Sequence, residues 1–218
     1  MRLRIASLAV LCLALAAIPA LADTYENGPI NGTTDAWTIN FGYVVSDTFY
    51  FQPGGQTVSG FSFGVWEFPG DTLSSVDWSI TDGENSPCPS EECLGSGTAS
   101  GSQIKDSFIS TNQYGYDIDR IDVTGLNLQV PGGVELWLNL YNASVPSGDP
   151  VYWDENSGAG CKSDNCPSSA SESAVGTIAS EAFTITSGGT GTTPEPSSIM
   201  LFGSGVLGLA GLLRRKLF

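Results

Sequence analysis

The chain has 218 residues, with 27 Gly, 12 Pro, no His and 14% charged residues; 23 acids against 8 bases leave a net charge of −15. The absence of His excludes Ser-His-Asp and Cys-His nucleophilic mechanisms and imidazole metal sites. So few bases also exclude nucleic acid as a partner, because its phosphates would stay unneutralised.

Met1 to Ala22 has the layout of a secretory signal peptide. Arg2 and Arg4 are followed by an apolar run from Ile5 to Ile18 and by a small-x-small cleavage site at Ala20-Leu21-Ala22. Cys12 lies inside the apolar run and leaves with the signal.

From Asp23 onward the pattern is that of strands, without an amphipathic helix. Apolar residues of one parity occur in Trp37, Ile39, Phe41 and Tyr43; in Val45, Phe49 and Phe51; in Phe61, Phe63 and Val65; and in Val76, Trp78 and Ile80. Between Tyr116 and Val130, Ile118 and Ile121 have opposite parity, which predicts a bulge at Asp119-Arg120. Val134, Leu136, Leu138 and Leu140 form an inward row, and Phe183 with Ile185 marks a late strand. Turn signals such as Pro53-Gly54-Gly55, Pro69-Gly70-Asp71 and Pro131-Gly132-Gly133 separate the runs. About nine short strands predict an all-β, two-sheet antiparallel β-sandwich, jelly-roll-like, over 23–186. Residues 187–193 (SGGTGTT) read as a flexible linker.

The mature cysteines form two pairs, Cys88 with Cys93 and Cys161 with Cys166. An even count outside the cytoplasm favours disulfides, with the local pairings 88–93 and 161–166 preferred; a four-thiolate zinc site is the alternative.

The segment 194–218 holds Pro194-Glu195-Pro196, an uncharged stretch from Ser197 to Leu213, and Arg214-Arg215-Lys216. Seventeen residues at 1.5 Å each give a helix of about 25 Å, the lower limit for spanning a bilayer, with the basic end cytoplasmic. Gly203 to Gly208 matches G-x-G-x-x-G, but no strand precedes it and a nucleotide site is rejected.

These three ordered features resemble the PEP-CTERM sorting signal of Gram-negative bacteria. The stretch from Phe61 to Thr81 and the run from Val145 to Gly158 are similar to uncharacterised PEP-CTERM ectodomains. The resemblance implies export, anchoring in the inner membrane by the C-terminal helix, processing by an exosortase, and then residence at the cell surface or in an exopolysaccharide-rich matrix. It supplies no activity for the ectodomain.

With Lys105, Arg120 and Lys162 as its only bases against 22 acids, the stretch 23–193 carries a net charge of −19, which favours solubility and divalent-cation binding. Opposite the leucine row, Glu135, Trp137, Asn139 and Tyr141 share a face, and aromatic rings beside a carboxylate and an amide suit a sugar. Tyr152 to Asn156 reads as a loop where Trp153 would clamp a sugar and Asp154, Glu155 and Asn156 would ligate Ca²⁺, with Asp117 and Asp119 able to add oxygens. For glycoside hydrolysis, which needs two carboxyls flanking a cleft, Glu67 and Glu135 are the best acids. The expectation is a non-catalytic exported β-sandwich that is structural or exopolysaccharide-binding. The alternatives are a polysaccharide-modifying hydrolase and a Ca²⁺-bridged acidic matrix protein.

Overall fold

A computed structural model describes residues 24–156, 163 and 166–188. The expected signal peptide, the tail from 194 onward with its membrane helix, and Cys161 lie outside the described residues. Among the described residues no helix is long and apolar enough to cross a membrane.

The strands among the described residues are β1 (Thr24–Asn27), β2 (Ala36–Thr38), β3 (Val44–Tyr50), β4 (Gln56–Glu67), β5 (Ser75–Thr81), β6 (Cys93–Ser100), β7 (Ile104–Thr111), β8 (Asp117–Val130), β9 (Glu135–Ser144), β10 (Tyr152–Asp154), β11 (Ala170–Glu172), β12 (Gly176–Ile178) and β13 (Phe183–Gly188). They build two antiparallel sheets, so the fold is all-β as the alternation predicts. In the first sheet β8 pairs along β4, with β7 as the strand beyond it. On the other side of β4, β13 covers residues 57–63 and β10 covers Val65 and Trp66. β1 extends the β13 side and β2 the β10 side. The second sheet runs β12-β11-β3-β9-β5-β6.

Both sheets turn their apolar parity toward one core. Val45, Phe49, Phe51, Phe61, Phe63, Val65, Val76, Trp78, Ile80, Leu136, Leu138, Leu140, Phe183 and Ile185 are all buried. Phe61 of the first sheet meets Trp78 of the second edge-on, with centroids 6.0 Å apart. Each large side chain buried in this way contributes about 1.5–3 kcal/mol.

Four expectations are corrected. The row from Trp37 to Tyr43 is not one strand: β2 ends at Thr38, and Phe41 sits in a turn with φ +56 and 64% exposure. Val134 precedes β9 and is exposed. Ile118 and Ile121 are both fully buried with no break at Asp119-Arg120, because both faces of β8 are covered there. The irregularities lie beside this point and further on: Ile109 of β7 is the extra residue between Phe108, paired with Asp119, and Ser110, paired with Ile118, while Val58 pairs with Leu128 but Gly60 with Thr124, around Gly125 at φ +81. Ser187 and Gly188, read as the start of the linker, belong to β13 and pair with Val58 and Thr57.

A disulfide joins Cys88 and Cys93, Cα atoms 5.6 Å apart, in the connection between β5 and β6. Cys166 is also disulfide-bonded. The Cys88–Cys93 bond removes two thiolates from the zinc alternative, which required all four.

The inward row of β3 includes an ionisable residue. Asp47 lies between Val45 and Phe49 on β3, is fully buried, and accepts from Asn27 Nδ2, Ser168 Oγ, Ser180 Oγ and the Glu181 backbone N–H. It thereby ties the second sheet to β1 and to the chain leading into β13. Burial pushes Asp47 up to about 8 despite those donors. Glu181, fully buried with both carboxylate oxygens unpartnered, is pushed well above the carboxylate range by burial and then by Asp47, Glu155, Asp154 and Asp35. Both carboxyls hold protons that the unfolded chain has released, so stability is greatest below the unfolded carboxylate range of about pH 4 and falls as pH rises toward 8. Urea midpoints measured from pH 4.5 to 8.5 should decline across that interval, and Asp47→Asn should flatten the decline.

Candidate functional site

β10 is a strand where the sequence reading placed a loop, and alternation along it separates the residues expected to act together. Trp153 points inward, is fully buried, packs edge-on against Phe63 and Phe183, and donates its Nε1–H to the Ala182 carbonyl at 3.1 Å. It is a core residue and not a sugar clamp.

Asp154 points to the opposite face and is fully buried. It accepts the Trp66 indole N–H at 2.6 Å and the backbone N–H groups of Asn31 and Gly32 at 2.9 and 3.1 Å. Asn156 donates to the Asn27 carbonyl at 2.9 Å. With Asp154 engaged in this way and Glu155 on the other face of the strand, the three do not converge on a cation. Among the described residues no group of three acidic or thiol side chains is gathered for a metal.

The expected platform on β9 is interrupted. Glu135 is exposed, and Trp137 and Tyr141 are half-buried. Asn139, however, is fully buried, accepting from Ser46 Oγ at 2.6 Å and donating to Thr81 Oγ1 at 2.8 Å. The connection between β5 and β6 folds back over this face, where the Asn85 N–H donates to Ser46 Oγ and Asn85 Nδ2 to Ser171 Oγ.

The outer face of the first sheet carries a different aromatic group. The carboxylate of Asp154 fixes the Trp66 indole from below and draws the 28–35 segment across the sheet. Gly64 permits this crossing, since a Cβ there would meet Ile30 Cγ2 at 2.6 Å and Asp154 Cβ at 2.8 Å. The Asn112 side chain accepts the backbone N–H groups of Tyr114 and Tyr116, shaping the turn between β7 and β8. That turn stacks Tyr114 on Trp66 (5.8 Å, 26° between planes) and places Tyr116 beside Trp66, Phe68 and Tyr152 at 5.9, 5.1 and 5.7 Å. Tyr114 is 60% and Phe68 38% exposed. Five rings therefore form one patch in which Tyr114 and Phe68 face solvent and Trp66 is buried beneath. The sequence signal was available in Trp66, Phe68, Tyr114 and Tyr116, but their meeting depends on the pairing of β4 with β8 and β10.

Elsewhere, a cleft of about 280 Å³ lies among Trp37, Thr38, Tyr43, Glu172 and Val175. Its carboxylate is already used: Glu172 accepts from Ser173 Oγ and from the backbone N–H groups of Ala174 and Val175. The Trp37 Nε1–H, also in this wall, has no hydrogen-bond partner among the described residues, but the five-ring patch gathers more aromatic surface and is the stronger candidate.

An all-β body joined to a C-terminal sorting segment defines an exported, surface-sorted protein. The PEP-CTERM protein-sorting motif matches residues 192–216, a segment that contains Pro194, Glu195, Pro196, Arg214, Arg215 and Lys216. The chain is thus a PEP-CTERM sorting domain-containing protein, and its tail is the kind recognised by an exosortase. No curated protein matches the chain.

Asp154→Ala should remove the acceptor of two buried donors, the Trp66 indole and the Gly32 N–H, and cost about 3 kcal/mol. Chemical denaturation measures the loss, and a red shift of Trp emission in the folded variant would report the freed Trp66 indole.

Proposed function

We propose that this PEP-CTERM protein is a non-catalytic, carbohydrate-binding component of the cell surface or extracellular matrix, built on a jelly-roll-like sandwich and holding exopolysaccharide on the Trp66–Tyr114–Tyr116–Phe68–Tyr152 patch. The observation that carries this reading is the patch itself: five packed rings in which Tyr114 and Phe68 are exposed over a buried Trp66, with the Trp66 indole held by Asp154 and the 112–116 turn by Asn112. Ring faces take the apolar faces of pyranoses while rim hydroxyls and amides take their hydroxyl groups.

The charge distribution favours a neutral polymer. The nearest base on that face of the sheet, Arg120, is bound by Asp122 at 2.7 Å and by Ser62 at 2.9 Å. A binding role is also favoured over hydrolysis, because Glu67 is fully buried in the first sheet and Glu135 is exposed in the second, so the two do not flank a shared cleft.

Tyr114→Ala should reduce retention on an insoluble neutral polysaccharide by about tenfold, equivalent to some 1.4 kcal/mol, while Tm barely moves because the ring is largely exposed. Unchanged retention would reject the patch. In a host with an exosortase, the intact mass of the exported form should correspond to a chain beginning at Asp23 and lacking Arg214-Arg215-Lys216.

A further inference from the structure

On its inner face, at the end of β4, the first sheet buries a carboxyl group that no described residue partners. Glu67 continues the inward parity of Phe61, Phe63 and Val65, yet it is fully buried and both its carboxylate oxygens lack a hydrogen-bond partner. Its cross-strand neighbours are acidic: Glu67 pairs with Asp117, and Asp119, one inward step further along β8, pairs with Val65. Beyond β8, Asp106 lies on β7 opposite Ile121, with the same inward parity, and accepts the Leu73 N–H at 3.0 Å. Asp119 is buried as well.

The bases of these strands point the other way. Arg120 and Lys105 have the opposite parity, paired with Gly64 and Asp122 on the outer face. Burial and then the repulsion of Asp106, Asp119, Asp71 and Asp117 push Glu67 up to about 8. A buried carboxylate with neither donor nor counter-charge calls for an ion or a proton.

We infer that Glu67 and Asp119 hold a divalent cation, with Asp106 and Asp117 completing the acidic wall around it. An all-oxygen, carboxylate-rich set suits Ca²⁺, which takes six to eight oxygens in flexible geometry, over Mg²⁺, which demands a tight octahedron. The carboxylates do not already close on one point among the described residues. The ion therefore draws Glu67 and Asp119, diagonal neighbours on adjacent strands, together by rotation of their side chains. This site is separate from Asp154, whose oxygens are taken by Trp66, Asn31 and Gly32.

The test is thermal melting of the exported protein in EDTA, then in CaCl₂, in MgCl₂ and in NaCl of matched ionic strength. Ca²⁺ at a hundredfold excess over Kd should raise Tm by roughly 5–10 °C, beyond either control salt. Glu67→Gln should be at least as stable as the parent in EDTA, since it deletes the orphan charge, and should lose the Ca²⁺ response; Asp119→Asn should lose it too. The exposed control Glu135→Gln should retain it. An equal response to the three salts, or a Ca²⁺ response that survives in Glu67→Gln, would overturn the site and leave a buried protonated acid. Terbium luminescence sensitised by the neighbouring Trp66 gives a second readout: emission from the parent that persists in Glu67→Gln likewise overturns it.

Discussion

The three hydrogen bonds received by Asp154 are the contact on which the outer face of the first sheet depends. A carboxylate buried in a strand must find donors or give up its charge, and here it finds one from a neighbouring strand and two from a connecting segment. The indole orientation, the path of residues 28–35 over Gly64, and the support beneath Tyr114 and Tyr116 follow from that requirement. Burial still pushes Asp154 above the ordinary carboxylate range, with the Trp66 bond acting in the opposite direction. A single buried acid thus converts strand pairing into a fixed arrangement of rings.

The architecture has a second point of concentration in β4. One of its edges is shared by two partners, β13 and then β10, and the handover falls at Gly64, whose N–H bonds to the Ala182 carbonyl at 3.2 Å. The residues on either side, Phe63 and Val65, stay in the common core while Trp66 turns outward. Core, handover and surface patch are therefore parts of one strand, and distortions there would reach all three.

Parity along the chain made the inward rows legible: Phe61, Phe63 and Val65, or Leu136, Leu138 and Leu140, could be placed without coordinates because a half-buried strand sorts its residues by twos. That rule misleads where both faces are covered, as at Ile118 and Ile121, and where a turn happens to keep the alternation, as at Phe41 and Tyr43. Strands rich in Gly and Ser, such as β6, carry almost no apolar signal and are held by their neighbours. The candidate site was harder to read. Trp153, Asp154 and Asn139 have the composition of a ligand site, but their chemistry is consumed internally. The exposed rings come from three separate stretches of sequence, and only long-range pairing brings them together.

The sheet margins carry a further consequence. β1, β2 and β12 are edge strands of three or four residues, β6 is largely Gly and Ser, and the longer β7 bears Lys105 and Asp106. Exposed strand edges invite a second copy to extend the sheet, and shortness and charge are the usual deterrents. Wherever copies of an exported protein crowd together, lateral growth of sheets leads to fibrils. Margins of this kind oppose the extension of either sheet by a second copy.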